Sequence, residues 1–139
     1  MQQFHCPSEE DTADVEAKRA WVRDYFEPDS QHMYQTLEGK LRLLDTILSN
    51  EWIKPDETVK LQCLGVTFGD ALAQELGMQW VVVEDEYGRD PALNFRNTSV
   101  LAFPLTSISK RVERGEQVSV EELFSAACEA LLEARQREA

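Results

Sequence analysis

A chain of 139 residues with 26 acidic and 14 basic side chains has a formal net charge of −12, and a field of that sign repels phosphate backbones, which excludes ordinary nucleic-acid binding. Apolar residues at 42% and charged residues at 29% are close to globular averages, and a chain of this size buries about 70% of its unfolded surface, enough for a single domain, 1–139. No stretch approaches the roughly 20 consecutive apolar residues of a membrane span, and three widely spaced cysteines, Cys6, Cys63 and Cys128, suit a reducing, cytoplasmic setting better than a disulfide scaffold.

Residues 1–7 read as a mobile arm with no basic and apolar leader pattern. Ser8 and Asp11 have the spacing of a capping box, with aspartate in the glutamate position, so a helix is predicted from there. Ala13, Ala17, Trp21 and Tyr25, with Val22 and Phe26 beside them, form its apolar stripe, leaving Lys18, Arg19 and Asp24 to solvent until Pro28 ends the helix. Asp29 or Ser30 can cap a second helix, in which Tyr34, Leu37, Leu41, Leu44 and Leu48 recur at alternating three and four residues; this seam packs within the chain or supports a weak homodimer, so a monomer or weak homodimer is expected. Asn50 and Pro55 bracket its exit.

The third helix runs from about Glu57 to Leu76, with Leu61, Leu64, Phe68, Leu72 and Leu76 on the face that also holds Gly65 and Gly69. Each glycine costs about 1 kcal/mol against alanine inside a helix, so two on the buried face indicate a second segment of backbone lying very close. Gly77 is the expected left-handed terminator. The apolar period then changes from 3.6 to 2: Gln79 to Asp85 is a strand with Trp80, Val81, Val82 and Val83 on both faces, which implies a sheet covered on part of each side. Tyr87, Gly88, Arg89 and Asp90 form the predicted turn, Ala92 to Arg96 the next strand, Asn97-Thr98 a second reversal, and Val100 to Phe103 a third strand. Pro104 opens a short helix ended by Gly115, with Leu105, Ile108 and Val112 inward. Ser119 and Glu122 have capping-box spacing for the last helix, and the tail 134–139 is expected to fray. The predicted class is α+β: three N-terminal helices, a small antiparallel three-stranded meander and two C-terminal helices.

Gly65, Gly69, Asp70, Trp80, the acidic trio Glu84-Asp85-Glu86, Gly88 and Asp90, within the run Leu64 to Leu93, resemble a family of small bacterial proteins classed as domain of unknown function 3806. Phe103-Pro104 and the segment Lys110-Arg111 to Gly115-Glu116 are similar to that family's following block, so the resemblance covers roughly residues 59–132. It implies a bacterial source and one compact domain, and carries no activity, cofactor or catalytic residue.

From the residues themselves, Asp70, Glu84, Asp85, Glu86 and Asp90 would make a carboxylate cluster if the third helix packs on the hairpin, but the spacing is not that of a calcium loop, and no metal site is assigned. Asp70 shares a helix face with Cys63, Thr67 and Gln74, which would line a pocket; without a histidine base Cys63 is a small filler rather than a nucleophile. Trp80 and Tyr87 could stack on a ligand, and Arg89 and Arg96 could pair with the acids. His5 and His32 stand apart from other ligand types. No catalytic residue, metal or cofactor is expected. The candidate binding residues are Asp70, Trp80, Glu84, Asp85, Glu86, Tyr87, Arg89 and Asp90. Eight acids against three bases give residues 1–30 a charge of −5, and six against two give residues 61–100 a charge of −4. The expected role is a non-enzymatic binding domain, adaptor-like or inhibitor-like, for a basic protein partner; the alternative is a small-molecule or metal-dependent activity where the third helix meets the hairpin.

Overall fold

The computed structural model describes residues 3–24, 32, 34–86 and 88–138. Among these the order is β1 (Gln3–His5), α1 (Glu9–Arg23), α2 (Leu37–Ser49), α3 (Thr58–Leu76), β2 (Gln79–Asp85), β3 (Gly88–Asn94), β4 (Leu101–Ala102), α4 (Leu105–Glu113) and α5 (Val120–Glu138). The α+β class holds, with three helices before the meander β2-β3-β4 and two after it. The sheet, however, has four antiparallel strands in the order β1-β2-β3-β4. The expected arm supplies the extra strand, Gln3, Phe4 and His5 lying opposite Glu84, Val83 and Val82. Three residues are too few for a visible alternation, so the strand forms because β2 offers it an edge.

α1 begins as its capping box dictates: Ser8 Oγ accepts from the Asp11 amide, and the Asp11 carboxylate accepts from the Ser8 amide. Its buried face differs from the alanine stripe. Val15 and Val22 are buried while Ala13 and Ala17 are exposed, and Arg19, placed between the two valines, turns inward. Tyr25 and Phe26 lie outside the described residues. α2 starts later than expected, at Leu37, because the Thr36 hydroxyl takes the Gly39 amide at 2.9 Å. Tyr34 is therefore a buried residue ahead of the helix, and the inward face is Lys40, Leu43, Leu44 and Ile47.

α3 is the central helix. Almost every residue from Leu61 to Leu72 is buried, and α1, α2, α4 and α5 all pack on it, as expected of a helix apolar nearly all round. On its polar face Cys63 and Thr67 are buried, while Gln74 is exposed. Gly77, at φ 74°, ends it. The two helix glycines do admit a close neighbour. A Cβ at Gly65 would lie 2.5 Å from Leu105 Cα and 2.7 Å from the Pro104 carbonyl, where the chain enters α4; at Gly69 it would lie 2.6 Å from Trp80 Cη2 and 2.7 Å from Pro104 Cγ.

The hairpin is tighter than predicted. Asp85 pairs with Gly88, so Arg89 and Asp90 are strand residues opposite Glu84 and Val83 rather than turn residues. Pro91 is tolerated within β3 because β4 pairs only with Leu93 and Asn94, leaving Pro91 no outer partner to satisfy. Buried Asn94 closes the next reversal, its Nδ2 donating to the carbonyls of Thr98 and Val100 at 3.1 and 2.8 Å. The expected frayed tail is helix through Glu138. Glu138 accepts from the Ser99 amide at 2.9 Å, and Arg135 lies over the Phe95 ring at 4.7 Å, contacts a local charge count does not reveal.

Candidate functional site

Two ion-pair clusters tie α1 to the rest of the fold. The inner one is centred on Asp70 of α3. Its Oδ2 accepts from Arg19 Nε at 2.7 Å and from the Tyr34 hydroxyl; its Oδ1 accepts from Arg19 Nη2 at 2.8 Å and Trp80 Nε1 at 3.0 Å. A carboxylate has about four lone-pair sites, and four donors occupy them. Arg19 spends its remaining nitrogen on Glu16 at 2.6 Å. These bonds to Asp70 hold the Arg19 guanidinium well above its ordinary pKa, and burial, followed by the Asp70 charge, raises that of Tyr34. Lys40 caps the cluster's flank, its ammonium bonded to Gln74 Oε1 and 5.2 Å from the Tyr34 ring centroid; burial lowers its pKa.

The outer cluster is centred on Arg89 of β3. Its Nη2 donates to Asp11 at 2.6 Å and its Nη1 to Glu84 at 2.7 Å. The Asp11 carboxylate thus serves twice, closing the helix cap and clasping the hairpin. Its pKa falls to about 2, through the Ser8 amide first and then Arg89 and the Ser8 hydroxyl.

Between the clusters, α1 and the β2-β3 face enclose a cleft of about 260 Å³. Pro7, Val15, Trp80, Val82 and Pro91 give it apolar walls, and its charged lining residues are Asp11, Asp14, Arg19, Arg89 and Asp90. Trp80 is held at both edges of its indole, by Asp70 at the nitrogen and by Gly69 at the benzene ring.

The eight predicted residues therefore separate. Asp70 and Trp80 meet in the inner cluster; Glu84 and Arg89 meet in the outer one. Asp85 follows Glu84 and, by strand alternation, faces the other side of the sheet; Asp90, opposite Val83, is exposed and is among the residues that line the cleft. Glu86 is exposed in the turn, and Tyr87 lies outside the described residues. No convergence of Asp70 with the hairpin acids occurs, because the donors from Arg19, Tyr34 and Trp80 intervene. Arg96 meets Gln79 at 3.2 Å rather than a carboxylate. Among the described residues no three His, Cys, Asp or Glu side chains gather as a metal site would require. The cysteines are free thiols, and burial raises the pKa of Cys63, the opposite of nucleophilic activation. Sequence reasoning missed Arg19, Tyr34, Asp11 and Asp14. The available signal was Val15, Arg19 and Val22 at i, i+4 and i+7, a helix face with a long cation at its centre.

A sequence model described as Domain of unknown function (DUF3806) matches residues 40–124. A 1.50 Å crystal structure of a Bacteroides thetaiotaomicron protein superposes with a TM-score of 0.72 at 17% identity, over 91% of this chain and 47% of that one. At that identity the likeness concerns the fold, and the chain spans about half the length of its structural neighbour. Among curated proteins none matches significantly. No helix of the described residues is long and apolar enough to cross a membrane.

Proposed function

The chain belongs to the DUF3806 family, and we propose that it is a non-catalytic binding domain whose acidic face, formed by the start of α1 and the β2-β3 hairpin, receives a basic protein partner. The observation that carries this reading is the 2.6 Å contact between Asp11 and Arg89. It brings together the two most acidic segments of the sequence, placing exposed Glu9, Glu10 and Asp14 beside the hairpin that carries Glu84 and Glu86. Acidic surface gathered on one side steers a cationic partner and raises its association rate. Activity at the junction of α3 and the hairpin has less support, since Asp70 has no acceptor site left for a substrate or metal. Native extract passed over the immobilised chain tests the reading. Wild type should retain a basic partner that elutes as salt rises, and the Glu9→Lys, Glu10→Lys, Glu84→Lys, Glu86→Lys variant should retain none. Equal retention by the two chains would refute the acidic face as the binding surface.

A further inference from the structure

The cleft between α1 and the β2-β3 face says what kind of group a partner inserts. Of its five charged lining residues, Asp90 is exposed, and the other four are engaged: Arg89 is bonded to Asp11 and Glu84, Arg19 to Asp70 and Glu16, and Asp14 to Lys18 at 3.0 Å. An occupant that set a lone charge against the apolar walls would have to break one of these contacts or be buried without a partner, both unfavourable. The walls left to it are Pro7, Val15, Trp80, Val82 and Pro91, and Trp80 is fixed before anything arrives, which reduces the ordering cost of binding. At about 260 Å³ the cleft falls below the roughly 300–1,000 Å³ of sites for drug-sized ligands, a size for one side chain rather than a cofactor. Outside it the surface is acidic. An apolar pocket ringed by charges is the arrangement of an interface hot spot, in which a buried anchor supplies the affinity and the rim excludes water.

Resting on the binding role proposed above, we propose that the cleft receives one aromatic or aliphatic anchor side chain from an extended partner segment whose flanking residues are basic. The anchor lies against Trp80 and Pro91, and the flanking cations meet the exposed acids of α1 and the hairpin.

Three blocked peptides, titrated into the ¹⁵N-labelled full chain, test this: phenylalanine between lysines, serine between lysines, and phenylalanine between glutamates. The readout is the Trp80 indole N–H resonance, assigned with Trp80→Phe. The phenylalanine-lysine peptide should shift it saturably, with the other two weaker by about tenfold, or 1.4 kcal/mol. Thr12→Phe, at an exposed helix position lining the cleft, should block the shift while leaving the rest of the spectrum folded. Equal binding of the serine peptide, unchanged binding by Thr12→Phe, or no indole shift with any peptide at millimolar concentration would each overturn the anchor. If, in addition, a basic partner is retained by wild type and Thr12→Phe alike but lost on reversal of the acidic face, the binding reading survives and only the anchor falls.

Discussion

Arg19 and Arg89 each hold two carboxylates and each ties α1 to another element, yet their surroundings assign them different work. At the inner cluster the Arg19 and Asp70 side chains are 23% and 11% exposed; at the outer one Arg89 and Glu84 are 41% and 44% exposed. The inner pair has given up water and replaced it with bonds from Tyr34 and Trp80, so either partner left alone becomes a stranded charge. The outer pair stays hydrated and screened and contributes little to stability, but its acids remain accessible to another molecule. The same residue types thus make a strut in one place and, in the binding role proposed above, a contact surface in the other, and the difference lies in desolvation and saturation.

The largest expected effect falls on the strut. Asp70→Ala leaves Arg19 part-buried without its main partner and should destabilise the fold by about 3 kcal/mol in chemical denaturation. Loss of less than about 0.5 kcal/mol, the range of an ordinary surface change, would put the inner cluster in the same class as the outer one and erase the contrast. Next in size is the packing that fixes Trp80. Gly69→Leu drives a side chain into the Trp80 ring and Pro104 and should cost about 1–3 kcal/mol, with a change in tryptophan emission. Gly69→Ala should show part of this, since even a Cβ would approach Trp80 to 2.6 Å; a stable leucine variant with unchanged emission would contradict the close packing.

A smaller effect belongs to Asp11, shared by the helix cap and the outer clasp, and appears in acid. Asp11 has a folded pKa depressed from 3.8 to about 2, so its contribution is fully present above the unfolded value and is lost as the pH falls through the folded one. Between pH 4 and pH 2 the wild type should lose stability that Asp11→Asn does not lose, seen as a shallower acid limb in the variant's denaturation midpoints. Identical limbs would mean that the bonds Asp11 accepts from Ser8 and Arg89 are absent in solution.

Much of this molecule is legible in residue order, and the illegible part has a common cause. The Ser8-Asp11 cap, the paired glycines of α3 and the change of period after Gly77 are local signals, each fixed by backbone geometry within a few residues. Arg19 and Tyr34 matter through Asp70, which lies 51 and 36 positions away, and an apolar-stripe count assigns an arginine to solvent by default. β1 needs the edge of β2 before it becomes a strand, and the tail needs Ser99 and Phe95 before it holds as helix. The candidate site shows the same division. The acidic hairpin was readable as composition, whereas the cleft exists only once α1 lies across β2 and β3.

If the outer acids serve association while the inner ones serve the fold, the rate of partner binding depends on the charge of the acidic face. Stopped-flow association with the captured basic partner, run from about 0.01 M to 0.15 M salt, takes the Debye length from about 30 Å to about 8 Å. The rate should fall steeply across that range. Reversing Glu84 and Glu86 to lysine should slow association far more than reversing Glu129 and Glu133, which lie on α5 in a segment, residues 101–139, where seven acids against five bases leave −2. A rate indifferent to salt, or equal slowing by the two reversals, would show that the acidic face does not guide binding.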